Sequence, residues 1–391
     1  EAGESLPARD FFDDPGEARE AEQLLRDEAN LRRVLGPDTV AFAEPSPLIS
    51  GRFHCDWKKL LGRGGQGEVF EGEDTELGRT VAIKRPRTDR MSDELKARLV
   101  REARVIGRLE HPGLIPVYGG RWGLEDPDHP PFYAMRRYEG DTLDVVIERY
   151  FAGDPSRLVS KGPDSLFRNL LSHFRSACLT MEYVEEQGVL HRDLKPGNIV
   201  IGRHGETLVV DWGLAREPMA SEPVPDEAAT TSDEVAIEDP MVDGEESPTR
   251  GGRTMGTTGY RSPEQLAGRW NEVGHASDQF SLGATLFHLL TGRAPFSRDD
   301  EIKGRTIDQV AQPRSIRRRA PKALAAICRK AMAARPQDRY ASIGDLAGEI
   351  QRWLDDERVL AYGEEPWWER SARWIRRNRP LAAALPLVLG L

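Results

Sequence analysis

A glycine-rich segment near the start of the chain has the composition of a loop that folds over phosphate groups. It reads GRGGQGEV from Gly62 to Val69, so that three glycines follow the pattern G-x-G-x-x-G. Glycine lets a backbone approach phosphates closely with its amides pointed inward. A dinucleotide-binding fold uses the same spacing, but there a helix opens directly after the glycines. Here two strand-like runs follow, 68–72 and 80–84, and they predict a hairpin that places Lys84 beneath the loop.

Further motifs follow the glycine loop in a fixed order. They are VAIK ending at Lys84, HRDLKPGN beginning at His191, DWG beginning at Asp211 and SPE beginning at Ser262. In this order, and with these gaps, they resemble the signature of the protein kinases. The chain looks like a eukaryotic-like protein Ser/Thr kinase of the bacterial type, and the resemblance covers roughly residues 56–356. It implies an α+β, two-lobed fold with a small β-rich N-terminal lobe and a large helical C-terminal lobe.

The resemblance assigns catalytic roles to individual polar residues. Lys84 would hold the α- and β-phosphates of ATP, and Glu102, on a helical pattern that begins at Ser92, would fix its ammonium group. Asp193 would accept or orient the proton of the substrate hydroxyl. Lys195 would neutralise charge on the phosphoryl group during transfer.

Two oxygen-bearing side chains are expected to meet at one end of a second hairpin. Asn198 begins a strand-like run at 199–201, and a turn leads to a second run at 208–210 that ends at Asp211. A hairpin sets the start of one strand beside the end of the other. Such oxygen ligands suit a Mg²⁺ ion that bridges phosphates, and Asn198 and Asp211 are therefore the predicted metal ligands.

The resemblance also implies the nucleotide contacts and the cofactors. Met135 stands at the gatekeeper position, followed by Arg136 where an acidic residue is common in the family, and Trp212 replaces the usual Phe of the DFG motif. The expected cofactors are ATP and Mg²⁺, with Mn²⁺ as an alternative ion. The predicted nucleotide-binding residues are Gly62, Gly64, Gly67, Val69, Ala82, Lys84 and Met135.

The substrate class is indicated by two residues. Lys195 in the run LKPGN resembles the Ser/Thr kinases, since tyrosine kinases usually lack this lysine. Thr257, in the run GTTGY, resembles the peptide-positioning segment and would bridge Asp193 and Lys195. The expected substrates are proteins with Ser or Thr acceptors.

The resemblance further implies supporting contacts and a mode of regulation. Asp278 would anchor the backbone of the His-Arg-Asp loop, and Glu264 would pair with Arg339. Arg192 precedes Asp193, so a phosphate on the activation segment would pair with this arginine. Autophosphorylation, with self-association, is expected on Thr249, Thr254 or Thr258 of this segment, with Thr230, Thr231, Ser232 and Ser247 as alternatives.

Strand-like runs precede helical patterns along the chain, in agreement with two lobes. The runs Val81–Lys84, Gly113–Tyr118 and Phe132–Met135 predict strands. Apolar residues at helical spacing predict helices that begin at Ser92, Asp278 and Ser342. The three scattered cysteines fit no disulfide or zinc pattern and are expected to be small core residues in a reducing compartment.

The charge of the chain excludes a uniformly basic nucleic-acid-binding protein, and no nucleic-acid partner is expected. The 391 residues carry a formal net charge of −10, and the segment 217–250, with eleven acidic residues and one basic residue, accounts for that value by itself. Its composition predicts a disordered insertion in the activation segment. It is either a passive insertion or an acidic element that competes for the substrate groove. Residues 1–52 form a second acidic segment, an N-terminal extension of a kinase domain at 53–356.

The amino-acid composition changes again in the C-terminal tail. Segment 357–380 contains Trp367, Trp368 and Trp374 among several arginines, and 381–391 is an unbroken apolar run. Eleven residues are too short to span a bilayer, which needs about 20. Because tryptophan and arginine before an apolar run are typical of a membrane boundary, we expect a juxtamembrane segment and the start of a transmembrane helix. This predicts a single-pass protein of the cell membrane with a cytoplasmic kinase domain. A packed helix or a surface-lying anchor are the alternatives, and without a span the protein would be cytoplasmic.

Two other functions remain open at this point. A pseudokinase would bind nucleotide and partners as a scaffold, but the residues that catalysis needs are all present: Lys84, Glu102, Asp193, Asn198 and Asp211. A small-molecule kinase of the same fold is disfavoured by the peptide-positioning segment and by the SPE motif at Ser262. The sequence therefore favours an active protein Ser/Thr kinase.

Overall fold

The computed structural model describes residues 52–64, 67–123, 130–153, 163–215, 259–297, 300, 320–363 and 365–378. Several segments singled out by the sequence lie outside these described residues. They include nearly all of the acidic extension 1–52, the acidic insertion 217–250, Thr257 and the apolar run 381–391.

The N-terminal part is an antiparallel five-stranded sheet with one helix packed on it. The strands follow the spatial order β1-β2-β3-β5-β4. They are β1 (Phe53–Arg63), β2 (Glu68–Asp74), β3 (Arg79–Arg85), β4 (Val117–Arg121) and β5 (Phe132–Arg136), with helix α1 at Asp93–Gly107. The predicted hairpin after the glycine loop is confirmed as β2 and β3.

Strand β3 is buried on both sides of the sheet, and this directs its lysine. Val81 and Ile83 pack with aromatic residues on one face, including Phe53. Ala82 faces the other side with residues of α1. Because side chains alternate along a strand, Lys84 shares the face of Ala82. The lysine is therefore directed toward α1.

Helix α1 begins where its sequence predicts. The hydroxyl of Ser92 accepts a hydrogen bond from the Leu95 amide, which caps the first turn. Leu99, Ala103 and Ile106 are buried at helical spacing. Glu102 lies next to this apolar stripe and is itself buried, so the helix carries a carboxylate into the interior.

The strand predicted over Gly113–Tyr118 is wrong in its first half. β4 begins only at Val117. Pro116 has no amide to donate to a sheet, and the residues before it belong to the other lobe. The Val209 amide donates to the Gly113 carbonyl (2.9 Å), and Leu114 forms a bridge with Val209. The apolar run therefore crosses from one lobe to the other.

The C-terminal part is mainly helical and has a small, largely buried sheet. The sheet follows the order β6-β7-β8. Its strands are β6 (Gly140–Thr142), β7 (Ile199–Gly202) and β8 (Thr207–Val209). The helices are α2 (Leu143–Ala152), α3 (Pro163–Glu186), α4 (Pro263–Leu266), α5 (His275–Thr291), α6 (Lys322–Ala331), α7 (Ile343–Leu354) and α8 (Trp367–Arg377). The two-lobed α+β fold is thus confirmed.

Helix α5 forms the centre of this lobe and is buried on nearly all sides. It begins at His275, three residues before the predicted start at Asp278, because the Ser277 hydroxyl accepts from the Gly274 amide and caps the helix earlier (3.3 Å). Gly292 closes it in the left-handed conformation (φ 80°). Asp278 is consequently an interior residue of the first turn, facing the catalytic loop.

All three cysteines are free and buried. Burial raises the pKa of the Cys55 thiol to about 12, so these side chains are inert core residues, as predicted. Within the described ranges, no helix combines the length and the apolar character needed to cross a membrane.

Candidate active site

A buried ion pair joins the two parts of the N-terminal lobe. The Lys84 Nζ lies 2.7 Å from Glu102 Oε1 and 3.0 Å from Glu102 Oε2. Burial alone would lower the pKa of Lys84, but nearby negative charge, above all that of Glu102, outweighs it and raises this pKa. The lysine is therefore a fixed, permanent cation.

A second residue holds the glutamate in place. The Tyr133 hydroxyl donates to Glu102 Oε1 at 2.9 Å, and the whole ring is buried. Burial, followed by the charge of Glu102, raises the pKa of Tyr133 well above its ordinary value. Tyr133 is directly opposite Lys84 in the pairing of β3 with β5. The sequence analysis missed this residue, because its position depends on the pairing of two distant strands.

The lysine also faces the second lobe. Asp211 Oδ1 lies 3.7 Å from Lys84 Nζ. The Asp211 backbone has φ 64°, a left-handed conformation that is uncommon for a residue other than glycine. Such local strain is held only where the surroundings determine it. The aspartate is thus turned toward the cleft between the lobes.

The tryptophan after this aspartate anchors it. Trp212 is buried, and its indole Nε1–H donates to the Val209 carbonyl at 3.2 Å. Its ring packs on His191 at a centroid distance of 4.5 Å. A phenylalanine could fill part of this space but could not donate the hydrogen bond. The replacement therefore adds a contact within the lobe.

A short loop gathers the charged groups of the second lobe. Lys195 Nζ lies 2.9 Å from Asp193 Oδ2. The Asn198 amide nitrogen donates to the Asp193 carbonyl (2.7 Å) and contacts Asp193 Oδ2 (3.3 Å). The loop thereby brings three predicted site residues into mutual contact.

Hydrogen bonds to Asp278 hold the backbone of this loop in place. Asp278 on α5 accepts hydrogen bonds from the His191 amide (2.7 Å) and the Arg192 amide (2.8 Å). Arg192 has φ 69°, and its carbonyl accepts from Gln265 Nε2 (3.0 Å). Burial raises the pKa of Asp278. Asp278 therefore positions the loop through its backbone amides, as its place in the sequence predicts.

The second hairpin brings the two predicted metal ligands to one edge. Ile199 pairs with Val209, and the Val210 amide donates to the Asn198 carbonyl at 2.9 Å. Asp211 is the next residue. Asn198 and Asp211 therefore flank the same end of the hairpin, as their spacing predicts.

An apolar cluster connects the lobes beneath the glycine loop. Ala82 pairs with Met135 in the sheet. Both belong to a buried group that includes Val200 and Leu208 of the second lobe, with Val69 packed against it. Val200 and Leu208 were missed by the sequence analysis, although both lie on the hairpin that it predicted.

At one described position of the glycine loop a side chain cannot fit. A Cβ on Gly67 would lie 2.6 Å from the Arg85 carbonyl oxygen and 3.4 Å from Lys84 Cε. The Gly64 amide donates to the Gly67 carbonyl at 2.9 Å. Gly62 and Gly64 are exposed, and a Cβ on either would meet no close contact. Among the described glycines of the loop, Gly67 is therefore the one packed tightly against β3.

Comparison with known proteins identifies the family. Residues 56–349 match the sequence model for the protein kinase domain. The chain belongs to the protein kinase family. It is 34% identical over 340 residues to Serine/threonine-protein kinase PknD of Chlamydia felis and 35% identical over 341 residues to that of Chlamydia trachomatis serovar L2b, in both cases over 84% of this chain. It is 33% identical over 317 residues to the PknD of Protochlamydia amoebophila, over 76% of this chain. The chain covers only 35%, 35% and 29% of the lengths of these relatives.

Arg136, which stands where an acidic residue is common in the protein kinase family, has an ion-pair partner in the other lobe. The Arg136 amide donates to the Pro116 carbonyl (3.1 Å), and its guanidinium lies 3.5 Å from Glu206 Oε1 in the second hairpin. The side chain therefore pairs with the other lobe.

A second buried ion pair fixes the end of the activation segment. Arg339 contacts Glu264 with two nitrogens, at 2.8 and 2.9 Å, and neither side chain is exposed. Burial would raise the pKa of Glu264, but Arg339 outweighs it and lowers this pKa. The Ser277 hydroxyl adds a hydrogen bond of 2.6 Å. The predicted pair is therefore present.

Thr257, by contrast, lies outside the described residues, so its bridge to Asp193 and Lys195 stays a prediction.

Proposed function

We propose that this chain is a catalytically active protein kinase that transfers the γ-phosphoryl group of ATP to Ser and Thr hydroxyls of proteins. The observation that carries the proposal is the assembled cleft: Lys84 touches Glu102 and lies 3.7 Å from Asp211 at the same time. The lysine thus links both lobes, which is the arrangement that phosphoryl transfer needs. The names of the PknD relatives agree with Ser/Thr specificity.

The residues around the cleft fit ATP and a divalent ion. At Gly67 the backbone passes so close to Arg85 and Lys84 that no side chain fits, and a glycine backbone of this kind suits phosphates. The apolar cluster with Ala82 and Met135 suits a nucleobase. Asn198 and Asp211 would hold Mg²⁺, or Mn²⁺ in its place. In the described part of the chain no three His, Cys, Asp or Glu side chains form a cation site, so the phosphates would supply the remaining oxygens. When bound, the ion offsets negative charge on the phosphates.

Four residues of the chain would each have a separate role in the transfer. Lys84 would bind the α- and β-phosphates, since its ammonium is charged and held by Glu102. Asp193 would orient the acceptor hydroxyl and receive its proton as the oxygen attacks the γ-phosphorus and the bond to ADP breaks. Lys195, beside Asp193, would offset the charge of the transferring group. Asn198 holds the Asp193 backbone in position.

The test is phosphate transfer from labelled ATP to a Ser/Thr peptide by the Asp193→Asn variant. This change keeps the size of the side chain but removes the base, so turnover should fall by about a hundredfold or more. ATP binding should remain. Asp338→Asn, an exposed surface change, serves as the control. Full activity of Asp193→Asn would contradict the role assigned to Asp193. Absence of transfer by the parent would favour the scaffold, and transfer to small molecules alone would favour the small-molecule kinase.

We further propose that the kinase autophosphorylates, with two copies associating. Support comes from the threonines of segment 211–264, above all Thr249, Thr254 and Thr258, and from Arg192 next to the catalytic aspartate, where a phosphate would find a cation. Phosphopeptide mapping after incubation with ATP tests this. An unmodified segment would contradict it.

We also propose that the C-terminal tail places the kinase domain on the cytoplasmic side of the cell membrane as a single-pass protein. The support is the tryptophan- and arginine-rich segment before an apolar run at 381–391. Fractionation of cells that express the natural protein tests it. Recovery in the soluble fraction would contradict it.

A further inference from the structure

Helix α8 presents an apolar face to solvent. Trp367, Trp368, Trp374 and Ile375 are 73%, 55%, 47% and 51% exposed. We call these four residues the tryptophan face. At 100° per residue they fall within one continuous sector of the helix, while Glu369 and Arg373 fall on the opposite side. The helix is therefore amphipathic, with its apolar side uncovered.

The charged side of the same helix is held by the C-terminal lobe. Glu369 pairs with Lys322 at 3.0 Å. Arg373 pairs with Glu365 at 2.8 Å, and both of these side chains are largely buried. Burial and then the charge of Glu369 raise the pKa of Tyr362 in the adjoining loop.

A third pair extends the contact to the end of the helix. Arg377 lies 3.4 Å from Glu357. The helix is thus attached through charges and shows its hydrophobic residues outward, the reverse of an ordinary surface helix. Adjacent exposed tryptophans of this kind mark a binding surface. The ion pairs fix which way that surface faces.

The chemistry of the tryptophan face favours a lipid bilayer as its occupant. Tryptophan prefers the interface between headgroups and acyl chains. Arg370 is exposed beside this face, where its charge complements anionic headgroups. The sequence continues into the uncharged run 381–391. A protein partner fits less well, because a stable protein interface takes about 20 residues from each side and an 11-residue helix is only about 16 Å long.

We propose that α8 lies flat on an anionic membrane, with its tryptophan face in the lipid interface and its ion-paired side against the kinase lobe. The kinase domain would then be held at the membrane in one orientation. This inference rests on the proposed membrane location of the C-terminal tail, and adds that α8 itself is a lipid-binding element.

The experiment measures binding of the full chain to vesicles of phosphatidylcholine, with and without phosphatidylglycerol, by co-sedimentation. The double variant Trp367→Glu/Trp374→Glu should reduce the partition coefficient by about tenfold or more. Arg370→Glu should weaken binding only to vesicles that contain phosphatidylglycerol. Leu77→Glu, an exposed apolar residue (61%) in the β2–β3 turn, is the matched control and should bind as the parent does.

Each outcome decides between the proposals. If the parent chain binds neither kind of vesicle, the membrane location and this inference both fail. If the parent and the double tryptophan variant bind equally, the location stands and the role of α8 is overturned. If the double variant instead abolishes a dimer seen by gel filtration, and vesicle binding is unchanged, the occupant is a second copy. Peptide phosphorylation in the absence of vesicles should be equal in all variants, which separates this test from that of the kinase activity.

Discussion

The Tyr133 hydroxyl donates a hydrogen bond of 2.9 Å to Glu102, the same carboxylate that binds Lys84. A strand of the sheet is thereby attached to helix α1 through a buried side chain. The glutamate receives fixed donors from β3 and from β5, which are neighbours in the sheet. The Lys84–Glu102 pair is consequently preorganised before any nucleotide arrives.

Tyr133→Phe should loosen this pair without removing either charge. The lost hydrogen bond is worth about 1 kcal/mol, so the free energy of unfolding should fall by about that amount. We expect kcat/KM for ATP to fall about fivefold, because Glu102 can then leave Lys84 more easily. Steady-state kinetics with ATP as the varied substrate provide the measurement.

The control for Tyr133 is Tyr118→Phe. Tyr118 lies on β4 of the same sheet and packs against the cluster on the opposite face. It should change stability at most slightly and leave the KM for ATP as it is. A Tyr133→Phe protein with parental KM and kcat would show that the hydroxyl has no positioning role.

Asp278→Asn should impair catalysis from beneath the active loop. Asparagine retains one acceptor oxygen, so one of the two amides of His191 and Arg192 loses its partner. Because Arg192 is held in a left-handed conformation, the loop should relax and displace Asp193. We expect kcat to fall about tenfold, with a smaller change in the KM for ATP. An equal loss of both parameters, together with loss of the folded state by circular dichroism, would indicate a purely structural role.

Trp212→Phe should lower the stability of the protein and leave its catalytic activity unchanged. The variant loses the indole hydrogen bond to Val209 and leaves space beside His191, and we expect the free energy of unfolding to fall by about 2 kcal/mol. Asp211 is untouched, so the dependence of activity on Mg²⁺ concentration should be unchanged. Denaturant unfolding and a Mg²⁺ titration of activity measure the two effects. A shifted Mg²⁺ requirement would mean that the tryptophan also places the metal ligand.

The sequence predicted the parts of the site that short-range patterns determine. Helical spacing placed Glu102 on the right helix, and hairpin geometry placed Asn198 beside Asp211. Tyr133 could not be found in this way, since its role depends on the register between β3 and β5 and on which face of the sheet α1 covers. The wrong strand prediction at Gly113–Tyr118 has the same origin. The apolar residues of this run pack in two lobes, and only tertiary contacts such as that of Gly113 with Val209 reveal where the sheet begins.

Glu264→Gln should alter the dependence of the free energy of unfolding on pH in the acid range. The pKa of Glu264 lies below its ordinary value of 4.5 because of Arg339. A carboxylate with a lowered folded-state pKa contributes stability that is complete above the unfolded value and is lost as the pH falls through the folded one. The free energy of unfolding of the parent should therefore exceed that of the variant by progressively less as the pH falls below about 5.

At neutral pH the variant leaves Arg339 buried without its charged partner, and the free energy of unfolding should be lower than that of the parent by about 3 kcal/mol. Urea unfolding from pH 7 to pH 3 measures the difference at each pH, with Glu357→Gln, a more exposed partner in an ion pair, as the control. A difference that stays constant over this range would contradict the assignment of the acid response to Glu264. Convergence of the two curves toward low pH would show that the charge of this residue stabilises the lobe beneath the activation segment.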